Sequence, residues 1–303
     1  MAGSGPIRDT TFQLHDGRPL AYTEWGDPRG TPVLFLHGSP STRVWSPDLY
    51  RDASTPAGVR LIVPDRPGFG GSDPLPGCTL GGWTSDVVEL ADALELPRFG
   101  IVGFSAGTPW AAACGALILE RVTRIGIAHS RALAAYDFLE RPEALEQLSD
   151  EDSHDYGLVR DLGPEAAADA LIVQEEGWAR DVAEHPARVM DGYPMPEGDR
   201  WLCDDPPLAR FLLDGFRDAV RQGAVGMVWQ FIAYVQAWGF RLADVSVPVD
   251  LWHGAQDPRV TMESQEFLVR TIPDARLTVW PDVGHFGIAK HWPEVLEAVT
   301  RPV

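Results

Sequence analysis

The chain has 303 residues, 45% of them hydrophobic, enough for one large core with room for an inserted subdomain. A formal net charge of −19 opposes phosphate backbones and anionic lipid, so neither nucleic acid nor a membrane is expected as a partner. Cys78, Cys114 and Cys203 are far apart and odd in number, with no C-x-x-C spacing, which suggests neither a zinc site nor a disulfide framework.

The opening MAGSGPIRDTTF lacks the basic start and apolar run of a signal peptide, and no stretch is apolar enough to span a bilayer; a cytoplasmic protein is expected. FQLHDG and LAYTEWG then predict a hairpin that turns at Asp16-Gly17. PVLFLHG (Pro32–Gly38), VRLIVPD (Val59–Asp65), FGIVGF (Phe99–Phe104) and VTRIGIAHS (Val122–Ser130) are short continuous apolar runs, as expected of strands buried on both faces. Helical patterns separate them. SDVVELADALEL places Val87, Val88, Leu90, Ala91 and Leu94 on one face, with Ser85 as the expected cap. The alternation predicts an α/β fold with a mostly parallel sheet and right-handed crossovers.

Between about Leu133 and Phe240 the alternation stops. This segment is helical in character and rich in aromatics, among them Tyr136, Phe138, Trp178, Tyr193, Phe216 and Tyr234, with a Pro-rich loop expected at DGYPMPEGDRWLCDDPPLAR. The sheet pattern resumes at VPVDLWHG (Val247–Gly254), followed by a helix over Thr261–Thr271, the run ARLTVW (Ala275–Trp280) and a terminal helix around Pro293–Thr300. We therefore expect residues 1–132 and 241–303 to form the core domain and 133–240 a helical cap over a pocket at the carboxyl ends of the strands.

IVGFSAGTPW places Ser105 between Gly103 and Gly107, after a buried strand and before an alanine-rich helix. In a chain with 30 glycines a G-x-S-x-G match says little alone. Its position is informative, because a serine on a tight strand-to-helix turn projects its hydroxyl only from a strained backbone. Residues two positions either side then approach closely, and glycine avoids the clash. Ser105 is thus the candidate nucleophile, and the Ala106 N–H a candidate donor to an oxyanion. A serine needs a base, and the base an orienting acid. His37 and His253, each before a glycine at a strand end, read as structural; His129 follows a strand and could equally pack. His285, in PDVGHFG after the last strand, is the candidate base. Asp257, in HGAQDPRV, is the candidate acid; Asp282 and Asp274 are alternatives that also suit plain turns. The second oxyanion donor is expected from Gly38 or Ser39 in HGSPST, with Ser39 preferred. Gly38, Phe104 and Phe286, neighbours of these residues, are candidates for substrate contact.

These motifs in order resemble the α/β-hydrolase superfamily from about Thr10 to Val299: HGSP at His37–Pro40, DRPGFGGSD at Asp65–Asp73, the GFSAG elbow, HGAQD ending at Asp257, and GH at Gly284–His285. The resemblance implies an eight-stranded, mostly parallel sheet with helices on both faces, a helical cap after the sixth strand, and a Ser105–His285–Asp257 triad. It also implies a structural role for Asp65. Epoxide hydrolases and haloalkane dehalogenases share the HGxP style but use an aspartate where this chain has Ser105. Proline iminopeptidases usually carry tryptophan where this chain has Ala106, which disfavours a peptidase. The expected activity is a serine hydrolase cleaving an ester, lactone or similar acyl bond of a small apolar molecule, with no cofactor and no metal. The alternatives are a biosynthetic relative with non-hydrolytic chemistry, such as a cyclase or a carbon–carbon bond-cleaving enzyme, and a ligand-binding protein on the same scaffold.

Overall fold

The computed structural model describes residues 6–45, 58–130, 150–204 and 206–302. Its strands are β1 (Arg8–Gln13), β2 (Pro19–Gly26), β3 (Thr31–Leu36), β4 (Val59–Pro64), β5 (Phe99–Phe104), β6 (Val122–Ala128), β7 (Val249–Gly254) and β8 (Ala275–Trp280). They form one sheet in the order β1-β2-β4-β3-β5-β6-β7-β8. The first two ladders are antiparallel and the rest parallel. This is the eight-stranded, mostly parallel sheet expected. The β1–β2 hairpin forms as predicted, with Gly17 at φ +91° in its turn.

The central strands match the apolar runs because both faces are covered. All six residues of β5 are buried, and Leu34, Phe35, Leu61, Ile62, Ile101 and Val102 are at most 1% exposed. Helices α1 (Leu80–Ala93) and α2 (Thr108–Leu117) follow β4 and β5. Helix α1 buries Val87, Leu90 and Ala91 on the predicted face. Its cap differs from expectation: Thr79, not Ser85, accepts a hydrogen bond from the Gly82 N–H, so the helix begins six residues earlier. The Gly-Gly pair at 81–82 masks that start in the sequence, since glycine is a poor helix former.

Between β6 and β7 lie α3 (Asp150–Leu162), α4 (Pro164–Glu184), the single turn α5 (Trp201–Asp204), α6 (Pro206–Ala219) and α7 (Val225–Val235). Tyr136, Phe138 and the expected start of the insertion near 133 lie outside the described residues. The predicted loop at DGYPMPEGDRWLCDDPPLAR is irregular only in its first half; its second half contains α5 and the start of α6, where proline at the first helical position needs no N–H. Helices α8 (Met262–Thr271), capped by Thr261, and α9 (Trp292–Val299) complete the core. Among the described residues no helix is long and apolar enough to cross a membrane.

Because β3, β5, β6, β7 and β8 run parallel and adjacent, their carboxyl ends deliver the loops after Leu36, Phe104, Ala128, Gly254 and Trp280 to one edge of the sheet. Every candidate site residue falls on one of these loops or at a strand end.

Candidate active site

The turn after β5 holds Ser105 at φ +50°, a left-handed conformation that costs a residue with a side chain about 1–3 kcal/mol. The neighbouring glycines make it possible. A Cβ on Gly103 would lie 2.8 Å from the Gly107 carbonyl oxygen and 2.8 Å from Thr108 Cα, and one on Gly107 would overlap the Leu36 carbonyl oxygen. The turn is thus squeezed against β3, and the hydroxyl leaves the sheet edge instead of entering the core.

Ser105 Oγ lies 3.0 Å from His285 Nε2, and His285 Nδ1 lies 2.8 Å from Asp257 Oδ2. The structure therefore brings together the three residues picked from the sequence. They are 7%, 4% and 9% exposed, so the hydrogen bonds run through an enclosed, weakly screened region. Burial alone would raise the Asp257 carboxyl, but the charge of a protonated His285 and the hydrogen bonds from two imidazoles outweigh it and hold it well below the usual carboxylate range. Asp257 Oδ1 accepts the Arg259 N–H at 2.8 Å. The alternative carboxylates stand apart: Asp282 and Asp274 are exposed, and Asp274 faces Arg276 at 3.9 Å.

The second imidazole is His129. Its Nδ1 lies 3.1 Å from the same Asp257 Oδ2, and its ring is fully buried. The sequence left this residue undecided, because only the β6–β7 pairing places it beside Asp257. One ring nitrogen of each histidine and a carboxylate oxygen of Asp257 lie within 4.8 Å of one another, a spacing at which such groups could ligate a metal ion. The 2.8 and 3.1 Å separations are those of two hydrogen bonds to one carboxylate oxygen.

His37 and His253 are buried, as a structural reading requires. His37 Nδ1 donates to the Gly38 carbonyl at 2.8 Å, and its Nε2 accepts the Arg66 N–H at 3.3 Å. Burial, together with the Arg66 charge, holds His37 well below the ordinary histidine value. Arg66, which sequence reasoning passed over, is 1% exposed. Its guanidinium donates to the His37 and Gly38 carbonyls and to Gln230 Oε1 on α7. Asp65 accepts from the Arg43 N–H, the Arg43 guanidinium and the Gly71 N–H, and ties the 65–73 loop to the 37–45 loop. Burial pushes its carboxyl up to about 6 against the pull of Arg43.

Gly38, Ser39, Phe104, Ser105, His285 and Phe286 line one cavity of about 210 Å³. Trp45 closes it from the core, and Trp178, Val189, Met190, Leu212 and Phe216 from the segment between β6 and β7; Arg259 also reaches it. Ala106 lies in the short helical turn Ser105–Gly107, and its carbonyl accepts from Tyr234 Oη at 2.5 Å.

A second buried carboxylate steadies the histidine loop. Asp199, fully buried at the end of the short helical turn Glu197–Asp199 before α5, accepts from Tyr193 Oη, from the Gly284 N–H at 3.1 Å and from the Phe286 N–H at 3.4 Å. Nothing periodic marked it in the sequence.

A family model described as the alpha/beta hydrolase family matches residues 33–298. The chain is 29% identical over 266 residues to a pimeloyl-[acyl-carrier protein] methyl ester esterase of Aromatoleum aromaticum, covering 86% of this chain and 92% of that protein. It is 26% identical over 286 residues to a probable proline iminopeptidase of Leptolyngbya boryana, covering 88% and 84%. Among solved structures, the enol-lactonase from Burkholderia xenovorans LB400 superposes with a TM-score of 0.64 at 20% identity, over 95% of this chain and 97% of that one, a likeness of fold. With its sheet order, its serine turn and a family match spanning most of its length, the chain belongs to the alpha/beta hydrolase family.

Proposed function

We propose that the protein is a serine hydrolase that cleaves an ester, lactone or similar acyl bond of a small apolar molecule. The observation that carries this reading is the unbroken hydrogen-bond chain from Ser105 Oγ through His285 to Asp257, opening on an apolar cavity.

In this mechanism Ser105 Oγ attacks the carbonyl carbon while His285 Nε2 takes its proton. Asp257 keeps the Nδ1–H tautomer and stabilises the imidazolium. The tetrahedral intermediate collapses, the bond to the leaving oxygen breaks, and His285 protonates that oxygen. Water then attacks the acyl-serine, giving a proton to His285; the carboxylic acid leaves as the proton returns to Ser105. The backbone N–H groups of Ser39 and Ala106 are assigned to the oxyanion, a contribution of about 3 kcal/mol per donor. Support for Ser39 comes from Arg66: it pins the Gly38 carbonyl, and in a planar trans-type arrangement the N–H of the same peptide unit points the opposite way; the site requires only that this N–H face the cavity.

The segment between β6 and β7 supplies five apolar side chains to the cavity, which supports treating 133–240 as a cap on the core of 1–132 and 241–303. A volume of about 210 Å³ lies below the range of drug-sized ligand sites, favouring a short acyl group. Two of the similar proteins carry ester or lactone cleavage in their names. Among the described lining residues there is no carboxylate to receive the ammonium of a peptide N-terminus, and Arg259 would oppose it, which favours an acyl ester over an iminopeptidase substrate.

The test is a panel of p-nitrophenyl esters of increasing acyl length, with simple lactones, on wild type and Ser105→Ala in parallel. We expect kcat/KM to fall at least about tenfold for acyl chains beyond about eight carbons, and Ser105→Ala to lose at least about 10³-fold on every substrate. Turnover unchanged in Ser105→Ala would remove the acyl-enzyme and favour chemistry by the pocket alone.

A further inference from the structure

The arrangement around Asp257 contains one more imidazole than the proposed reaction uses. His129 sits at the end of β6 with φ +52°, a strained setting for a residue with a side chain, held by its N–H donating to the Trp252 carbonyl at 3.0 Å. Its ring packs edge-on to Phe104 at 6.0 Å and obliquely on Trp280 at 5.8 Å, and the His285 ring centre is 5.5 Å away. Among the described residues, buried Nε2 has no hydrogen-bond partner.

These contacts select one tautomer. A proton on Nε2 would be a buried donor without an acceptor, which folded proteins avoid more strictly than a bare acceptor. A proton on Nδ1 faces Asp257 Oδ2 at 3.1 Å. The titratable groups facing the ring are Asp257 and His285 from the loops and His253 from β7, whose ring centre is 6.3 Å away. Tyr193, bound to Asp199, approaches Asp257 from the inserted segment. Burial, opposed by the hydrogen bond to Asp257, lowers His129 to about 4, so it is a neutral donor at pH 7.

We propose that His129 is a positioning residue for this site: its Nδ1–H donates to the same Asp257 oxygen that accepts from His285, fixing the carboxylate and limiting how firmly it grips a protonated His285. The inference rests on the serine-hydrolase reading of Ser105, His285 and Asp257. The Oδ2 atom has two lone pairs; His129 occupies one and directs His285 to the other. With Oδ1 held by the Arg259 N–H, the carboxylate plane stays fixed even when the His285 ring moves between Ser105 and a leaving group. The dipole of a neutral N–H also spreads the negative charge of Asp257. Its removal strengthens the Asp257–imidazolium pair.

The test compares wild type, Ser105→Ala, His129→Phe and His129→Asn on p-nitrophenyl butyrate from about pH 5 to about pH 9. His129→Phe keeps the ring volume and removes the donor. It should move the acid limb of kcat/KM up by about half a pH unit or more and lower kcat/KM at pH 7 about tenfold, mainly through kcat. His129→Asn, whose amide can donate near the position of Nδ1, should bring the limb back toward wild type; a merely structural role would lower activity without moving the limb. Turnover that survives Ser105→Ala overturns the serine reading and this inference with it. Turnover lost in Ser105→Ala, with the His129→Phe limb superimposed on wild type, overturns the role of His129 alone. A readout independent of how the variants fold is the ¹⁵N spectrum of wild-type histidines at pH 7. A protonated Nδ1 and bare Nε2 on His129 support the inference, and the Nε2–H tautomer overturns it.

Discussion

Asp257 concentrates three donors on one carboxylate: the Arg259 N–H on Oδ1, and His285 and His129 on Oδ2. The same contacts hold it ionised against its burial. Asp257→Asn keeps the shape but offers an amide where His285 needs an acceptor, so the imidazole turns to the wrong tautomer. The expected result is a loss of about 10⁴-fold in kcat on p-nitrophenyl butyrate with KM changed only a few-fold. A comparable fall in KM affinity with kcat preserved would show that Asp257 serves binding instead. Arg66 acts at the same scale on the loop that follows β3. Burial pulls its guanidinium down to about 10, yet two carbonyls and Gln230 suffice to hold it between the 37–38 segment and α7.

At the scale of elements, the loops of the candidate site are braced by close backbone approaches. A Cβ on Gly284 would overlap Asp199 Oδ2 and come within 2.6 Å of Pro196 Cγ. Gly284→Ala must therefore push the 196–199 stretch off the loop that carries His285. We expect a loss of about 1–3 kcal/mol in stability and of at least about tenfold in kcat. Asp199→Ala removes the anchor and its own share of the clash, leaving the contact with Pro196 Cγ. The double variant should cost less than the sum of the two single changes, measured by denaturant unfolding as a double-mutant cycle; strict additivity would mean that the two positions are not in contact.

The elements that were legible in the sequence share a physical cause. β5 and β8 appear at their predicted residues, Phe99–Phe104 and Ala275–Trp280, because uninterrupted β-rich runs bounded by turns leave little choice of boundary. Ser105, Asp257 and His285 were legible because each sits just beyond such a strand, and parallel strands send their carboxyl ends to one edge. His129 also ends a strand, but its partner is set by the neighbour relation of β6 and β7, which no local pattern encodes. Asp199 ends a single short helical turn, Glu197–Asp199, inside a Pro-rich segment whose local signals are turn residues. The start of α1 was misplaced because two glycines, Gly81 and Gly82, in the first turn after the Thr79 cap read locally as a turn.

For the molecule as a whole, the buried histidines decide the acid side of its stability. Burial lowers His129 to about 4, His37 well below its ordinary value and His253 below it as well. In the unfolded chain these groups take up protons from about pH 6.5. Between that pH and about 4 the unfolded state therefore binds more protons than the folded state, and stability falls as pH falls. Asp65, raised to about 6 by burial, works in the opposite direction, since its folded form takes a proton first. Asp257 adds to the loss only below about pH 4, where its unfolded counterpart becomes neutral. With three histidines against Asp65 and Asp86, whose carboxyl burial also raises, the melting temperature should be lower at pH 5 than at pH 7 by about 5 °C. A temperature that is flat or rises over that interval would contradict the buried, neutral histidines.

The central claim is that one hydroxyl among all the serines is made reactive by His285. The measurement that tests it most directly is the intact mass of the protein after exposure to an alkyl fluorophosphonate, followed by peptide mapping. One adduct per chain on the peptide bearing Ser105, absent when His285 is replaced by alanine, is the expected result. An adduct on another residue, or labelling of Ser105 that proceeds equally well without the imidazole, would contradict the account.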